Sequence, residues 1–209
     1  MAAFQDYAGL VGNTPGGHYR LGFKTGATIG YTANQAFFCW RWTQQALFAR
    51  LLKLRVTAVI KTAFTTAQTT DIAMWRATGW TVAPTAGVSL TNVLNGEDAM
   101  ADAGVTTGMA NLAQICPLAA TNFAVANTAA LTQGTLTLDG NPLAYDVLNI
   151  IALGSSDKVT LYDVAWGNEY PLTLSNNEGV VLTIPTAQGA VGSVAWYIDL
   201  TFCVNNAAF

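Results

Sequence analysis

Residues 48–60 read FARLLKLRVTAVI, and this stretch decides the fold class. Apolar and polar side chains alternate along it with the two-residue period of a β-strand. One predicted face carries Phe48, Leu52, Leu54, Val56, Ala58 and Ile60, and the opposite face carries Lys53, Arg55, Thr57 and Lys61. The pattern therefore predicts a long strand with one face in a core and the other toward solvent or a partner.

The same alternation recurs near the C-terminus, in VAWYIDLTFCV at 194–204. Shorter strands are predicted elsewhere, separated by turn signals such as DGNP at 139–142. These weaker predictions cover 35–42, 71–78, 134–138, 143–153, 158–165, 170–174 and 179–184. Many short strands at near-regular spacing predict an all-β fold, an antiparallel β-sandwich of jelly-roll-like form.

Residues 1–30 hold seven of the nineteen glycines and only short apolar runs, which favours an N-terminal arm and lead-in rather than core strands. Residues 31–209 are predicted to form a single β-sandwich domain, a size that needs no disulfide or metal to fold. One short helix is predicted between Asn95, which can cap it, and Gly104.

Composition points to burial in an assembly. Only 10% of the residues are charged, against about 25% in ordinary soluble domains. The net charge of -3 provides no basic field to attract nucleic acid, so no direct nucleic-acid partner is expected. The chain has no run of roughly 20 apolar residues, so no membrane partner is expected. The N-terminus MAAFQDYAGL lacks the features of a secretory signal, and we expect the chain to stay in the cytoplasm where it is made.

Charge is unevenly distributed along the chain. Residues 1–76 contain eight of the nine basic residues and two of the twelve acidic ones. Either the two parts interleave within one sandwich and neutralise each other, or basic and acidic faces meet between neighbouring subunits. The sequence leaves both open.

Side chains suited to catalysis are sparse. His18 is the single histidine, so imidazoles cannot form a general-base pair or a His-rich metal centre within one subunit. The cysteines, Cys39, Cys116 and Cys203, stand in apolar or aromatic surroundings and are predicted to be reduced core residues.

Paired carboxylates could also perform acid and base chemistry, so Glu97, Asp98 and Asp102 were considered. Charge at the start of the predicted helix explains them more simply, and a calcium site is the alternative. We therefore expect no enzyme activity, no cofactor, and no catalytic or metal-binding residues. Core packing is expected for most of the six tryptophans, although exposed aromatic rings could line a sugar-binding surface.

Four ordered pieces of the chain resemble virion proteins of tailed phages and prophages, among them head decoration or cement proteins. They are YRLGFKTGATIGYTANQAFFCWRWT (19–43), LLKLRVTAVIKTAFTTAQTTDIAMWRAT (51–78), NTAALTQGTLTLDGNPLAYD (127–146) and EYPLTLSNNEGVVLTIPTAQGAVGSVAWYIDLTF (169–202). The segment SLTNVLNGEDAMADAG (89–104) departs from that group because it is acidic where the relatives are richer in Lys and Arg.

The resemblance implies a structural protein on the outer capsid surface of a virion that binds the major capsid protein. It also implies self-association, with a trimer expected in preference to a dimer. Residues expected to contact the partner lie in the arm and just after it: Tyr7, Leu10, Val11, His18, Tyr19 and Arg20. The alternative is a head-fibre, baseplate or tail-surface module that binds host glycans through exposed aromatic rings.

Overall fold

The computed structural model describes residues 18–43, 45, 47–65, 70–80, 94–95, 121–131, 135–149, 153–164 and 171–205. Over these residues the protein is all-β, which confirms the predicted fold class. The strands are β1 (His18–Lys24), β2 (Gln35–Trp42), β3 (Phe48–Thr62), β4 (Thr70–Trp80), β5 (Leu94–Asn95), β6 (Thr121–Val125), β7 (Leu136–Leu138), β8 (Ala144–Leu148), β9 (Ser156–Asp163), β10 (Leu172–Leu174), β11 (Gly179–Ile184) and β12 (Ser193–Asn205).

The strands form two antiparallel sheets that pack face to face. In the first sheet, β9 and β10 pair with one edge of β3, and β12, β1 and β5 follow on its other side. The second sheet runs β6, β2, β11 and β4, with β7 and β8 both paired to the far edge of β4. The pairing is nested along the chain: β1 pairs with β12, β2 with β11, β3 with β9 and β4 with β8. Successive strands from β1 to β4 alternate between the two sheets. This nested, alternating order is that of a jelly roll.

Strand β3 carries a correction to the predicted faces. Leu54, Val56, Ala58 and Ile60 are buried as expected. The pairing with β12 shifts register at Leu52, which is left as the extra residue of a bulge. A one-residue insertion exchanges the faces of the preceding residues, so Leu51 and Ala49 are buried, whereas Leu52 and Phe48 are only partly so.

The first sheet also begins earlier than the predicted boundary at residue 30. Residues 18–24 form β1, which pairs with β12 along its whole length. Leu21 and Phe23 are buried while Arg20 and Lys24 are exposed, a strand alternation that the nearby glycines obscured in the sequence. Residues 1–17 and the predicted helix from residue 96 to 104 lie outside the described residues, and Asn95 belongs to β5.

Aromatic side chains fill the space between the sheets. Trp196 of the first sheet stacks on Phe37 of the second with ring centroids 4.8 Å apart, and Trp40 meets Phe202 at 4.9 Å. Of the five tryptophans that the structure describes, four are buried, as predicted for most of them: Trp40, Trp42, Trp80 and Trp196.

The two oppositely charged parts of the chain interleave. The ion pairs among the described residues are Arg20–Asp199, Lys53–Asp163, Arg55–Asp199 and Arg76–Glu178. Each joins a base from the first 76 residues to an acid from residues 163–199, because the nested pairing places early strands beside late ones. Mutual neutralisation within one sandwich, the first of the two readings of the charge pattern, is therefore observed for these pairs.

Candidate partner-binding surface

The β1 edge of the first sheet is the place where residues 1–17 join the sandwich. On one side β1 is fully paired with β12. On its other side, among the residues that the structure describes, only Leu21 and Gly22 are paired, with the two-residue strand β5. A strand edge with unpaired backbone groups can accept a further strand from another chain. The edge is therefore a candidate site for β-pairing with a partner.

The predicted partner-binding residues divide into two groups at this edge. Tyr7, Leu10 and Val11 lie outside the described residues. His18 and Tyr19 begin β1, with their backbones opposite those of Cys203 and Phe202, and Arg20 follows with its side chain exposed. The structure thus brings the last three of the six predicted residues together on one strand edge.

Arg20 belongs to a charged cluster on the outer face of the first sheet. Its Nε and Nη2 donate to the two carboxylate oxygens of Asp199 at 3.1 and 3.0 Å. Arg55 of β3 also donates to Asp199, from the opposite side. Partial burial raises the pKa of Asp199, but hydrogen bonds and charge from the two arginines outweigh it and hold the pKa below its ordinary value. This carboxyl is therefore ionised at neutral pH and shared between two cations.

Further charges extend the same face. Lys53 forms an ion pair with Asp163 of β9. The Lys24 ammonium lies 5.5 Å from the centroid of the Tyr197 ring, within the range of a cation–π interaction. The outer face of the first sheet is therefore polar and more basic than acidic toward β1.

The outer face of the second sheet has a different character near its β8 edge. Leu143, Tyr145 and Val147 alternate along the chain there and are 44%, 54% and 41% exposed. We call these three residues the β8 stripe. The Tyr145 hydroxyl donates to Asp71 at 2.8 Å, and this bond raises the pKa of Tyr145. The β8 stripe therefore presents an aromatic ring with a carboxylate beside it.

Trp75 lies on the same outer face, since its indole N–H donates to Thr183 Oγ1 at 3.0 Å, and it is only partly buried. The sequence did not single out Tyr145 or its neighbours as surface residues. Their alternation was visible within the predicted strand 143–153, but alternation alone does not show which face of an edge strand meets solvent.

Two of the three cysteines are buried, and the candidate carboxylates lie outside the described part of the chain. Cys39 and Cys203 are buried and free, as predicted for them, while Cys116 lies outside the described residues. Burial raises the pKa of the Cys39 thiol well above its ordinary value and that of Cys203 to about 11, so both stay protonated at neutral pH. Glu97, Asp98 and Asp102 also lie outside the described residues.

No group of three or more His, Cys, Asp or Glu side chains is arranged to hold a metal ion within the described ranges. Among the same residues, no helix is long and apolar enough to span a membrane. No protein-family model matches the chain, and no curated protein matches it either.

Proposed function

We propose that the protein is a cement, or decoration, protein of a tailed-phage head, which binds the outer surface of the major capsid protein and bridges its subunits. The observation that carries the proposal is a jelly roll in which residues 1–17 lead directly into β1, whose outer side is paired, among the described residues, only at Leu21 and Gly22. Jelly rolls are frequent among virus structural proteins, although a fold by itself does not determine function.

Composition and resemblance support the same function. A chain with 10% charged residues has little charge to keep a large free surface soluble, which suits a protein that covers part of its surface with a partner. The four ordered sequence pieces that resemble phage virion proteins contain β2, β7, β10 and β11 whole and parts of β1, β3, β4, β8 and β12, so the resemblance runs through the sandwich itself.

The mechanism would combine strand addition with repetition. Backbone hydrogen bonds between β1 and a capsid segment, or between residues 1–17 and a neighbouring sheet edge, would provide affinity at each site. A self-associated subunit that grips several capsid proteins at once would hold them more tightly than any single contact, because every later contact forms within the same complex. Such clamps would resist the pressure of the packaged genome.

Binding to heads tests the proposal directly. The purified chain is incubated with expanded phage heads that lack it, and bound protein is measured by co-sedimentation. We expect saturable binding at a fixed ratio to the major capsid protein, together with a higher temperature of head disruption. A chain that leaves the heads unbound and their disruption temperature unchanged would refute the proposal.

Glycan binding is the second candidate, and the β8 stripe is the observation that favours it. An exposed tyrosine ring beside a carboxylate is a common way for proteins to hold a sugar, through stacking and hydrogen bonds to its hydroxyls. Tyr145→Ala would abolish such binding, while Tyr145→Phe would keep the ring and retain part of the binding. Absence of binding by the unmodified chain to host surface glycans would remove this candidate.

A further inference from the structure

One lateral side of the sandwich carries excess positive charge. Strand β1 contains Arg20 and Lys24 and no acidic residue, and both side chains are exposed. Among the described carboxylates, Asp199 lies opposite Gly22 of β1, and it is already shared by Arg20 and Arg55. Lys24 forms none of the ion pairs found among the described residues. We call this the β1 side.

The opposite lateral side carries excess negative charge. It comprises β8, β9 and the adjoining parts of β4 and the β7–β8 turn, and it has one exposed lysine, Lys158. Carboxylates without an ion-pair partner among the described residues are concentrated there: Asp71, Asp139, Asp146 and Asp157. We call this the β8–β9 side.

Local hydrogen bonds keep two of these carboxylates in place without neutralising them. Asp157 accepts from the backbone N–H groups of Asn149 and Lys158 at 3.1 and 2.8 Å, which links β8 to β9. Asp146 accepts from the N–H of Val147 at 2.8 Å and is exposed. Neutral donors leave the full negative charge available to an outside cation.

Strand order places the two charged sides at opposite edges. In the first sheet β3 and β12 separate β9 from β1, so the edges are three strand spacings, or about 14 Å, apart. At physiological ionic strength, charges separated by more than about 8 Å are largely screened from each other. Among the described residues, the intramolecular ion pairs therefore leave uncompensated positive charge at the β1 side and uncompensated negative charge at the β8–β9 side.

We infer that copies of this chain associate side by side, with the β1 side of one copy against the β8–β9 side of the next. Charge complementarity identifies a second copy as the occupant, because the molecule itself carries the matching surface for each side. A net charge of only -3 opposes this approach weakly. The inference depends on the charge distribution and not on the proposed function.

The contact joins two different surfaces, so it is heterologous. Such contacts generate closed rings when the rotation between neighbours divides a full turn, and open filaments otherwise. A ring of this kind would present the same face of every jelly roll to a common partner, and it is compatible with the trimer expected from the sequence.

Charge reversal tests the contact without disturbing an intramolecular ion pair. Self-association is measured by sedimentation velocity for Lys24→Glu, for Asp146→Lys and for the chain with both substitutions, in about 0.1 M and about 1 M salt, where the Debye lengths are about 10 and 3 Å. Each single reversal should weaken association about fivefold or more in low salt, and the double reversal should restore it to within about twofold. High salt should weaken the self-association of the unmodified chain.

Lys61→Glu is the matched control. Lys61 is exposed, forms no ion pair among the described residues, and lies at the end of β3, about 13 Å along the strand from Thr57, the residue opposite Tyr197. It changes net charge as Lys24→Glu does, but it lies on the strand next to β9, where added negative charge should not weaken association. Circular dichroism of every variant separates loss of association from loss of fold.

Two outcomes would overturn the inference. One is an unmodified chain that stays monomeric at all concentrations in low salt. The other is a double reversal that associates no better than the single ones, which would place the contact elsewhere or assign the charges to a different partner. Head binding is measured separately, so a chain that associates in this way but leaves heads unbound would refute only the proposed function.

Discussion

At Gly179 the second sheet leaves no room for a side chain. A Cβ atom there would lie 2.0 Å from the carbonyl oxygen of Trp40 and 3.1 Å from the Cα of Arg41. Gly179 begins β11, which lies between β2 and β4, so the obstructing atoms belong to a paired backbone and cannot move aside cheaply. In the sequence Gly179 follows Asn176, Asn177 and Glu178, which are typical of a turn, and only the pairing of β11 with β2 shows that this position also excludes a side chain.

We expect Gly179→Ala to lower the free energy of unfolding by about 2–3 kcal/mol, the usual cost of forcing atoms into a packed site. Gly79→Ala is the control, because a Cβ there meets nothing within 4 Å. Gly79→Ala should change the free energy of unfolding by no more than about 0.5 kcal/mol. Equal effects of the two substitutions in urea denaturation would contradict the close approach of β11 and β2.

Glu178 ties the turn before β11 to β4. Its carboxylate accepts from the Ser175 N–H at 2.7 Å and from Arg76 Nη2 at 2.6 Å. Partial burial raises the pKa of Glu178, but these hydrogen bonds and the arginine charge outweigh it and lower the pKa below its ordinary value of 4.5. A lowered pKa in the folded state means that the carboxylate stabilises the fold above the unfolded pKa and stops doing so as the pH falls through the folded one.

Glu178→Gln should therefore destabilise the protein by about 1 kcal/mol at about pH 7, a value that allows for the partial exposure of Arg76. The difference from the unmodified chain should shrink as the pH falls through the lowered pKa of the native carboxyl. Urea denaturation at neutral pH and at successively lower pH values measures this difference. A difference that grew in acid would contradict the assigned sign.

Among the strands, period and turn signals predicted the best-paired elements. Strands β2 and β11 begin and end where 35–42 and 179–184 were predicted, and β3 and β12 differ by at most two residues at either end. Strand β1 was missed because glycines interrupt its alternation, and β6 because it lies in an uncharged stretch where polar and apolar faces contrast weakly. Pairing with β12, which fixes the bulge at Leu52, is a tertiary contact that no local pattern encodes.

The bulge gives two leucines of β3 that lie two positions apart, Leu52 and Leu54, losses of different size on the same change. Leu54→Asp places a charge in the core, where Leu54 is fully buried, and should cost about 3–5 kcal/mol. Leu52→Asp changes the partly exposed bulge residue and should cost about 1 kcal/mol or less. Thermal and urea unfolding of both variants measure the difference, and equal losses would contradict the register of β3 against β12.

For the whole molecule, the nested pairing places basic residues of the early strands beside acidic residues of the late ones, so four ion pairs form within the described sandwich although charge along the chain is uneven. Early basic strands pair with late acidic ones, which only the topology could reveal. Of the candidate surface, the sequence indicated Arg20, whose side chain is exposed on β1, and its contact with a partner stays a prediction. The sequence did not indicate the β8 stripe. Strand β8 lies at the edge of its sheet, where the burial of a side chain depends on which element packs beside the strand.

Deleting residues 1–17 separates the sandwich from its proposed binding function. The described core begins at Leu21, so the truncated chain should fold with its thermal midpoint little changed. Its binding to expanded heads should weaken, and the temperature at which those heads fail should drop, because strand addition by this segment is lost. Truncated protein that stabilised heads as well as the full chain would contradict the role proposed for the arm.

The position of the chain in an intact virion tests the central claim most directly. In a cryo-electron microscopy map of the particle, the account predicts jelly-roll density on the outer surface of the head, placed across junctions between major capsid proteins and repeated with the symmetry of the shell. Density for this chain only in the tail or baseplate, or a particle that contains no copy of it, would contradict the claim that it is a capsid cement protein.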